Sequence, residues 1–177
     1  MARLVDPLVV GRVIGEVLDM FVPCAELSVH YGSKQVSNGV EIKPSLAAAK
    51  PTVRINGSRD PSTLFTLVMS DPDAPSPSEP TFREWLHWIV VNIPEGGEAS
   101  EGKELVRYMG PQPPVGIHRY VFSVFRQKEA MEKAKEVVAE EARYNFNTRQ
   151  FASKNELGLP IAAVYFNSQR EPNKKPR

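Results

Sequence analysis

The chain has 177 residues, 41% hydrophobic and 24% charged, enough for one domain with a buried core of ordinary composition. Its 22 basic and 21 acidic residues leave a net charge of +1, which gives no global electrostatic drive toward nucleic acid or an acidic membrane. One cysteine, Cys24, excludes an intrachain disulfide and a cysteine zinc cluster, and no apolar run reaches the roughly 18 residues of a membrane helix.

After Asp6-Pro7, apolar residues at Val9, Val10, Val13, Ile14, Val17, Leu18 and Phe21 fall at helical spacing. They predict a helix capped by Asp6 and ended by Pro23. Asp6, Arg12, Glu16 and Asp19 interrupt this stretch, so no secretory signal is expected; the reading is a cytosolic and nuclear protein. Cys24 reads as a small buried apolar residue. Leu27, Val29 and Tyr31 alternate as in a half-buried strand, Val53 and Ile55 mark another, and Asn38-Gly39 between Val36 and Val40 predicts a hairpin. "LFTLVM" (64–69) and "WLHWIVV" (85–91) are apolar on both faces, as central strands covered above and below are. "HRYVFSVF" (118–125) and "AVYF" (163–166) are further strands. Strands recur without a helix between each pair, which points to a mainly antiparallel β core. "EAMEKAKEVVAEEARY" (129–144) lacks Gly and Pro and, with its thin apolar face, predicts a solvated helix or a mobile one. A shorter helix is expected from a cap at Asn147 to a stop at Gly158. The basic tail at 170–177 reads as frayed. No repeat, linker or boundary divides the chain, so a single domain over 1–177 is expected.

The run "DPDAPSPSEPTFREWLHW" (71–88) carries the chemistry. Pro72, Pro75, Pro77 and Pro80 forbid regular strand and stiffen the loop after a central strand, which can hold Asp71 and Asp73 in place. Within the next strand His87 shares a face with Trp85 and Ile89, and His118 shares a face with Tyr120 in the later one. If those strands are neighbours, two imidazoles, a phenol and the carboxylates surround one cavity suited to a small anion. The hydroxyl and ring N–H groups would donate to phosphate oxygens, and a carboxylate would hold a histidine in one tautomer or raise its pKa. The residues equally allow a plain Asp-Pro turn and two satisfied core histidines. Trp85 either gates the mouth or packs on the sheet. Arg83 and Glu84 could pair near the pocket, where a surface ion pair is worth little, and Arg119, on the opposite face from His118, reads as a structural salt bridge.

Together with "GIHRYVFSVF" (116–125), this run resembles the two signature blocks of the phosphatidylethanolamine-binding protein family, and the likeness extends from "VDPLVVGRVIGEVLDMF" to "LGLPIAAVYFNSQREP". Within its plant branch the chain is most similar to the Mother-of-FT type, on Trp85 in "REWLHW" and the terminal "QREP". The resemblance implies a β-sandwich with a large antiparallel sheet on a smaller one, plus N-terminal and C-terminal helices. It implies a ligand pocket at Asp71, Asp73, Trp85, His87, Gln112, His118 and Tyr120, walled by "PQPP" (111–114), that accepts a phosphate-containing small molecule or a phospholipid head group. It implies a monomer that works through transcription-factor or adaptor proteins. Ser62, Glu101 and Ala130 stand where florigens carry Arg, Phe and Arg, so a 14-3-3 contact is in doubt.

Three functions follow. The first is a non-enzymatic regulator of plant development, in seed dormancy, germination or hormone response, with a florigen-like or anti-florigen-like flowering role as its alternative. The second is a phosphoester enzyme using Asp71, Asp73 and the histidines as metal ligands or acid and base; no activated nucleophile or glycine-rich phosphate loop supports it. The third is a protease inhibitor, for which no inhibitory loop stands out. No cofactor, no metal, no integral membrane association and no direct nucleic-acid contact is expected; the tail cations Arg170, Lys174, Lys175 and Arg177 are few.

Overall fold

A computed structural model describes residues 5–137 and 141–172. In chain order its elements are α1 (Asp6–Val10), α2 (Val13–Glu16), β1 (Glu26–Tyr31), β2 (Lys34–Gln35), β3 (Val40–Glu41), β4 (Thr52–Asn56), β5 (Leu64–Asp71), β6 (Trp85–Pro94), β7 (Lys103–Val106), β8 (His118–Arg126), α3 (Thr148–Lys154) and β9 (Ala162–Ser168). A six-stranded sheet runs in the order β3-β9-β8-β5-β6-β7, and a three-stranded sheet, β2-β1-β4, packs on it. Neighbours are antiparallel apart from β3 and β9, which are parallel.

The alternation along β8 shows why the large sheet is covered twice. Tyr120, Phe122 and Val124 join Val29, Tyr31, Val53 and Ile55 of the small sheet in one core. Val121 and Phe125 face the other way, into a second core with Leu8, Val17 and Leu18 of the N-terminal segment and Phe151 of α3. Each such side chain contributes about 1.5–3 kcal/mol when fully buried.

Several expectations change. The long N-terminal helix is two short ones: Arg12 has φ 62° and Gly15 φ 110°, so the chain kinks rather than continuing. The pull is tertiary. The Gly11 carbonyl accepts from Arg119 Nη1 at 2.8 Å, and a Cβ on Gly11 would meet the Tyr165 hydroxyl at 2.3 Å. Val13, Val17, Leu18 and Phe21 are buried as the periodicity implied, but Val10 is 84% exposed. Asn38-Gly39 makes no hairpin: β2 belongs to the small sheet and β3 to the large one, and the turn carries the chain between them. Asn38 Oδ1 fixes the crossing by accepting from Tyr165 N at 3.1 Å.

The described residues of 129–144 contain no helix; 138–140 of that expected helix lie outside the described residues. Remote side chains capture the backbone groups that a helix would pair internally. Asn92 Oδ1 accepts from Met131 N at 2.8 Å and its Nδ2 donates to Met131 O at 2.7 Å, Lys103 Nζ donates to Glu132 O at 2.9 Å, and Asn155 pairs with both backbone groups of Lys135. α3 starts where expected, with Asn147 Oδ1 accepting from Gln150 N at 2.9 Å. It ends at Lys154, short of Gly158, because Leu157 N turns back to Ala152 O. The tail is tethered through Glu171 Oε1, which accepts from Ser45 N at 2.7 Å; 173–177 lie outside the described residues. Cys24 is exposed rather than buried. Among the described residues no helix is long and apolar enough to cross a membrane.

Candidate functional site

Antiparallel pairing brings the chemistry together. β5 ends at Asp71, and its two neighbours begin there: Trp85 of β6 pairs with Asp71, while β8 starts at His118 on the other side. Residues distant in sequence thus meet at one end of the large sheet. A β-bulge then aims His87. Met69 pairs with Trp88 and Ser70 with Leu86, so His87 is the extra residue. The bulge inverts the alternation beyond it: Leu86 and Ile89 lie in the helix-side core, Trp88 and Val90 in the core shared with the small sheet. His87 therefore shares a cavity with Trp85 but not a face with Ile89, correcting the simple period-2 reading.

The cavity has a volume of about 220 Å³ and is lined by Asp71, Trp85, His87, Gln112, His118 and Tyr120. Ala74, Pro75 and Pro114 of the proline loops, with Phe82 and Met109, complete its wall. Asp73 is not part of the lining. Its carboxylate turns to the back of the sheet, where Oδ2 accepts from Arg119 N at 2.8 Å and Nε at 2.9 Å, and Oδ1 accepts from Arg119 Nη2 at 2.7 Å. Its contact with the pocket is through the backbone, with Asp73 N donating to Asp71 Oδ1 at 2.7 Å. Arg119 is thus the structural ion pair that the strand alternation implied. Arg83 and Glu84 do not pair. Arg83 Nε donates to Pro72 O at 2.6 Å, and Glu84 is buried, accepting from Ser70 Oγ, Thr148 Oγ1 and Thr148 N. Burial raises the Glu84 pKa despite those hydrogen bonds.

His118, with its side chain 1% exposed, hydrogen-bonds at both nitrogens: Nδ1 to Asp71 Oδ2 at 2.7 Å and Nε2 to Val115 O at 2.9 Å. Burial opposes a charge on the ring, but the Asp71 hydrogen bond and charge, the Val115 carbonyl and Asp73 outweigh it, so its pKa is raised. Since a carbonyl and an ionised carboxylate only accept, this network assigns His118 as an imidazolium with both N–H groups engaged. His87 behaves oppositely. Burial lowers its pKa, against the pull of Asp71, with Arg143 and His118 also opposing its charge. It is neutral, its Nδ1–H donating to Met109 O at 2.5 Å. Burial, then Asp71, hold the Tyr120 hydroxyl firmly protonated. The His87 and Tyr120 rings meet edge to face at 5.2 Å. Trp85, half-buried, packs on Phe82 at 6.1 Å, and Phe82 on Tyr144 at 6.0 Å.

Sequence reading missed Phe82, Met109 and the buried Arg143, whose guanidinium donates to the carbonyls of Leu86, His87 and Arg107. Phe82 lies inside the signature run and was within reach; Arg143 sits in the segment expected to be a helix. Across β8 and β9, Ser168 opposes His118 with a buried hydroxyl that lacks a hydrogen-bond partner among the described residues. Among the described residues no group of three or more His, Cys, Asp or Glu side chains is placed to hold a metal ion. The assembly is a carboxylate–imidazolium pair, a neutral imidazole and a phenol in a small, mostly apolar hollow, with its charges compensated.

Residues 21–166 match the family model for phosphatidylethanolamine-binding protein. The chain is 56% identical to Protein MOTHER of FT and TFL1 homolog 2 of Oryza sativa subsp. japonica, over 100% of both chains. It is 52% identical to Protein TERMINAL FLOWER 1 of Arabidopsis thaliana, over 96% of this chain and 93% of that one. Among solved structures, carboxypeptidase Y inhibitor complexed with its cognate proteinase superimposes with a TM-score of 0.84 at 25% identity, covering 96% of each chain. The phosphatidylethanolamine-binding protein from Plasmodium vivax does so at 0.79 and 22%, covering 94% of this chain and 97% of that one. The fold, the paired sheets and this full-length likeness agree: the chain belongs to the phosphatidylethanolamine-binding protein family, among relatives from plants.

Proposed function

We propose that this protein is a non-enzymatic regulator of plant development of the Mother-of-FT type, whose pocket binds a phosphate-bearing head group and whose surface engages transcription-factor or adaptor proteins. The observation that carries the binding half is the cavity between His87, His118 and Tyr120, with Asp71 at its base. At about 220 Å³ it is below the roughly 300–1,000 Å³ of sites for drug-sized ligands, so it suits a head group rather than a whole lipid. The His118 Nε2–H is held by the carbonyl of Val115, in an exposed loop; a phosphate oxygen that displaces this carbonyl gains a charge-assisted hydrogen bond. An ammonium group on the same ligand would meet Asp71 and the faces of Phe82 and Trp85.

The developmental half rests on the likeness to the rice and Arabidopsis proteins. Within it, seed dormancy, germination or hormone response is the reading favoured by the Mother-of-FT likeness, with action in cytoplasm and nucleus through a DNA-binding partner. Ser62, Glu101 and Ala130 are all exposed, and they offer neither cation nor aromatic anchor to a 14-3-3 protein. A flowering role is the second reading, favoured by 52% identity to TERMINAL FLOWER 1.

Calorimetric titration with phosphorylethanolamine tests the pocket. His87→Ala and His118→Ala should each abolish measurable binding while the protein still melts cooperatively; unchanged affinity in both would remove the pocket from the function. Plants lacking the gene test the process: altered germination supports this reading, and altered flowering with normal germination supports the second.

A further inference from the structure

Behind the pocket, on the other face of the large sheet, lies an ion cluster that the binding chemistry does not use. Arg119 donates to both Asp73 oxygens, to Gly11 O at 2.8 Å and to Glu16 Oε2. Arg83 Nη2 lies 3.5 Å from Glu16 Oε2 and 3.7 Å from Asp73 Oδ1. Two guanidinium groups and two carboxylates balance there, with the Arg119 and Asp73 side chains 14% and 6% exposed. Such a cluster is costly to desolvate and is a weak source of net stability compared with apolar packing, so its other consequences matter.

One consequence is a continuous chain of contacts. Glu16 comes from the N-terminal segment, Arg119 from β8, and Asp73 from the proline loop. The backbone N–H of Asp73 then donates to Asp71 Oδ1, and Asp71 Oδ2 accepts from His118 Nδ1, both at 2.7 Å. Each link fixes the next group: the fork of Arg119 fixes the Asp73 carboxylate, Asp73 fixes its own amide, and that amide fixes the rotation of the Asp71 carboxylate. We propose that Glu16, Arg119 and Asp73 are positioning residues for the pocket, holding Asp71 in the orientation that keeps His118 aligned for an anionic ligand. The N-terminal segment is thereby part of the binding machinery although none of it lines the cavity. This rests on the pocket reading above.

The groups acting on His118 are Asp71 from β5, His87 from β6 and Tyr120 from its own strand, the charge of Asp73 from behind the sheet, and the neutral Ser168 opposite on β9. Asp71 and Asp73 favour its charge, and His87 is uncharged, so its titration reports on the two carboxylates.

The test uses the full chain with isotope-labelled histidine, titrating His118 by NMR without ligand and measuring phosphorylethanolamine affinity separately. Arg119→Lys keeps the charge but removes the fork, and Glu16→Gln keeps the shape but removes one anchor. Each should lower the His118 midpoint by about half a pH unit or more and weaken the ligand roughly three- to thirtyfold. Asp73→Asn should do both more strongly, while Glu26→Gln on β1 should do neither. An unmoved His118 midpoint in folded Glu16→Gln and Arg119→Lys overturns the proposal, as does failure of Glu16→Gln to fold, since either outcome makes the cluster an anchor of the fold alone. If wild-type protein binds no phosphorylethanolamine while the midpoints still shift, the ligand assignment fails and the positioning stands.

Discussion

The backbone of the proline loop at 71–82 is shaped largely by hydrogen bonds within itself, with Arg119, Arg83 and Asn145 holding it from outside. Asp73 N donates to Asp71 Oδ1, Glu79 N to Ser76 O and Phe82 N to Ala74 O. The segment at 129–137 is held from outside: its backbone groups go to Asn92, Lys103 and Asn155, on other elements. Both flank the strand that carries Trp85 and His87, and Arg143, just beyond the second segment, grips the carbonyls of Leu86 and His87. The local bonds keep the loop's shape, while the Asp73 carboxylate answers to Arg119 from β8. A stretch with borrowed bonds can be released by a change at one remote side chain.

The largest break expected in that contrast is at Asn92. Asn92→Ala removes hydrogen bonds to Met131 and Gln127, each worth about 1 kcal/mol. It also places Ala at φ 59°, a further cost of about 1 kcal/mol or more. Urea unfolding should show a loss of about 4 kcal/mol in all, with first proteolytic cutting within 129–137. Asn92→Gly, free of the backbone penalty, should be less destabilised yet equally easy to cut; resistance to cutting in both variants would show that the segment holds itself.

On the rigid side, His118 links the pocket to pH. Folding raises its pKa, so its stabilisation is complete below the unfolded value of about 6.5 and fades as pH rises through the folded value. The stability gap between wild type and His118→Gln should therefore be largest at acid pH, about 1.5–3 kcal/mol at pH 5, and shrink on the alkaline side. His87 has the opposite sign. Its depressed pKa makes the unfolded chain take up a proton that the folded one refuses, so stability erodes as pH falls below about 6.5. Denaturant melts from pH 5 to 9 separate the two histidines, and a gap that grows with pH would contradict the imidazolium assignment.

Smaller effects sharpen the local side. Asn147→Ala removes the cap of α3 and should cost about 1 kcal/mol by thermal melting, with the pocket unaffected. Pro77→Ala should cost about 0.4–1 kcal/mol, chiefly by loosening the unfolded chain. If it also weakened phosphorylethanolamine binding tenfold, the loop's stiffness would matter to the site more than its hydrogen bonds suggest.

Much of the strand framework was legible because its signals are local. Val53 and Ile55 alternate, "LFTLVM" and "WLHWIVV" are apolar on both faces, and the structure puts them in β4, β5 and β6. Most of the cavity lining was legible too, since the signature run holds Asp71, Trp85 and His87 and the second block holds His118 and Tyr120. Asp73 was misassigned because a residue two positions along a turn does not announce which side of the sheet it faces; only Arg119, arriving from β8, decides that. The N-terminal helix failed for a related reason. Its periodicity marked the buried residues, but the contact of Gly11 with Arg119 and Tyr165 overrode the helical backbone.

What the residues determine by themselves is therefore whatever depends on neighbours along the chain: strand faces, the proline-stiffened loop, the Asn147 cap, and the set of polar groups available for a pocket. What the tertiary structure alone decides is which of them meet, and in what state. A bulge aims His87, antiparallel strand ends bring Asp71 to His118, and remote amides unmake a helix. The physical reason is range: backbone preference acts over a few residues, whereas charge state and hydrogen-bond partnership are set by whatever the fold brings within about 3 Å.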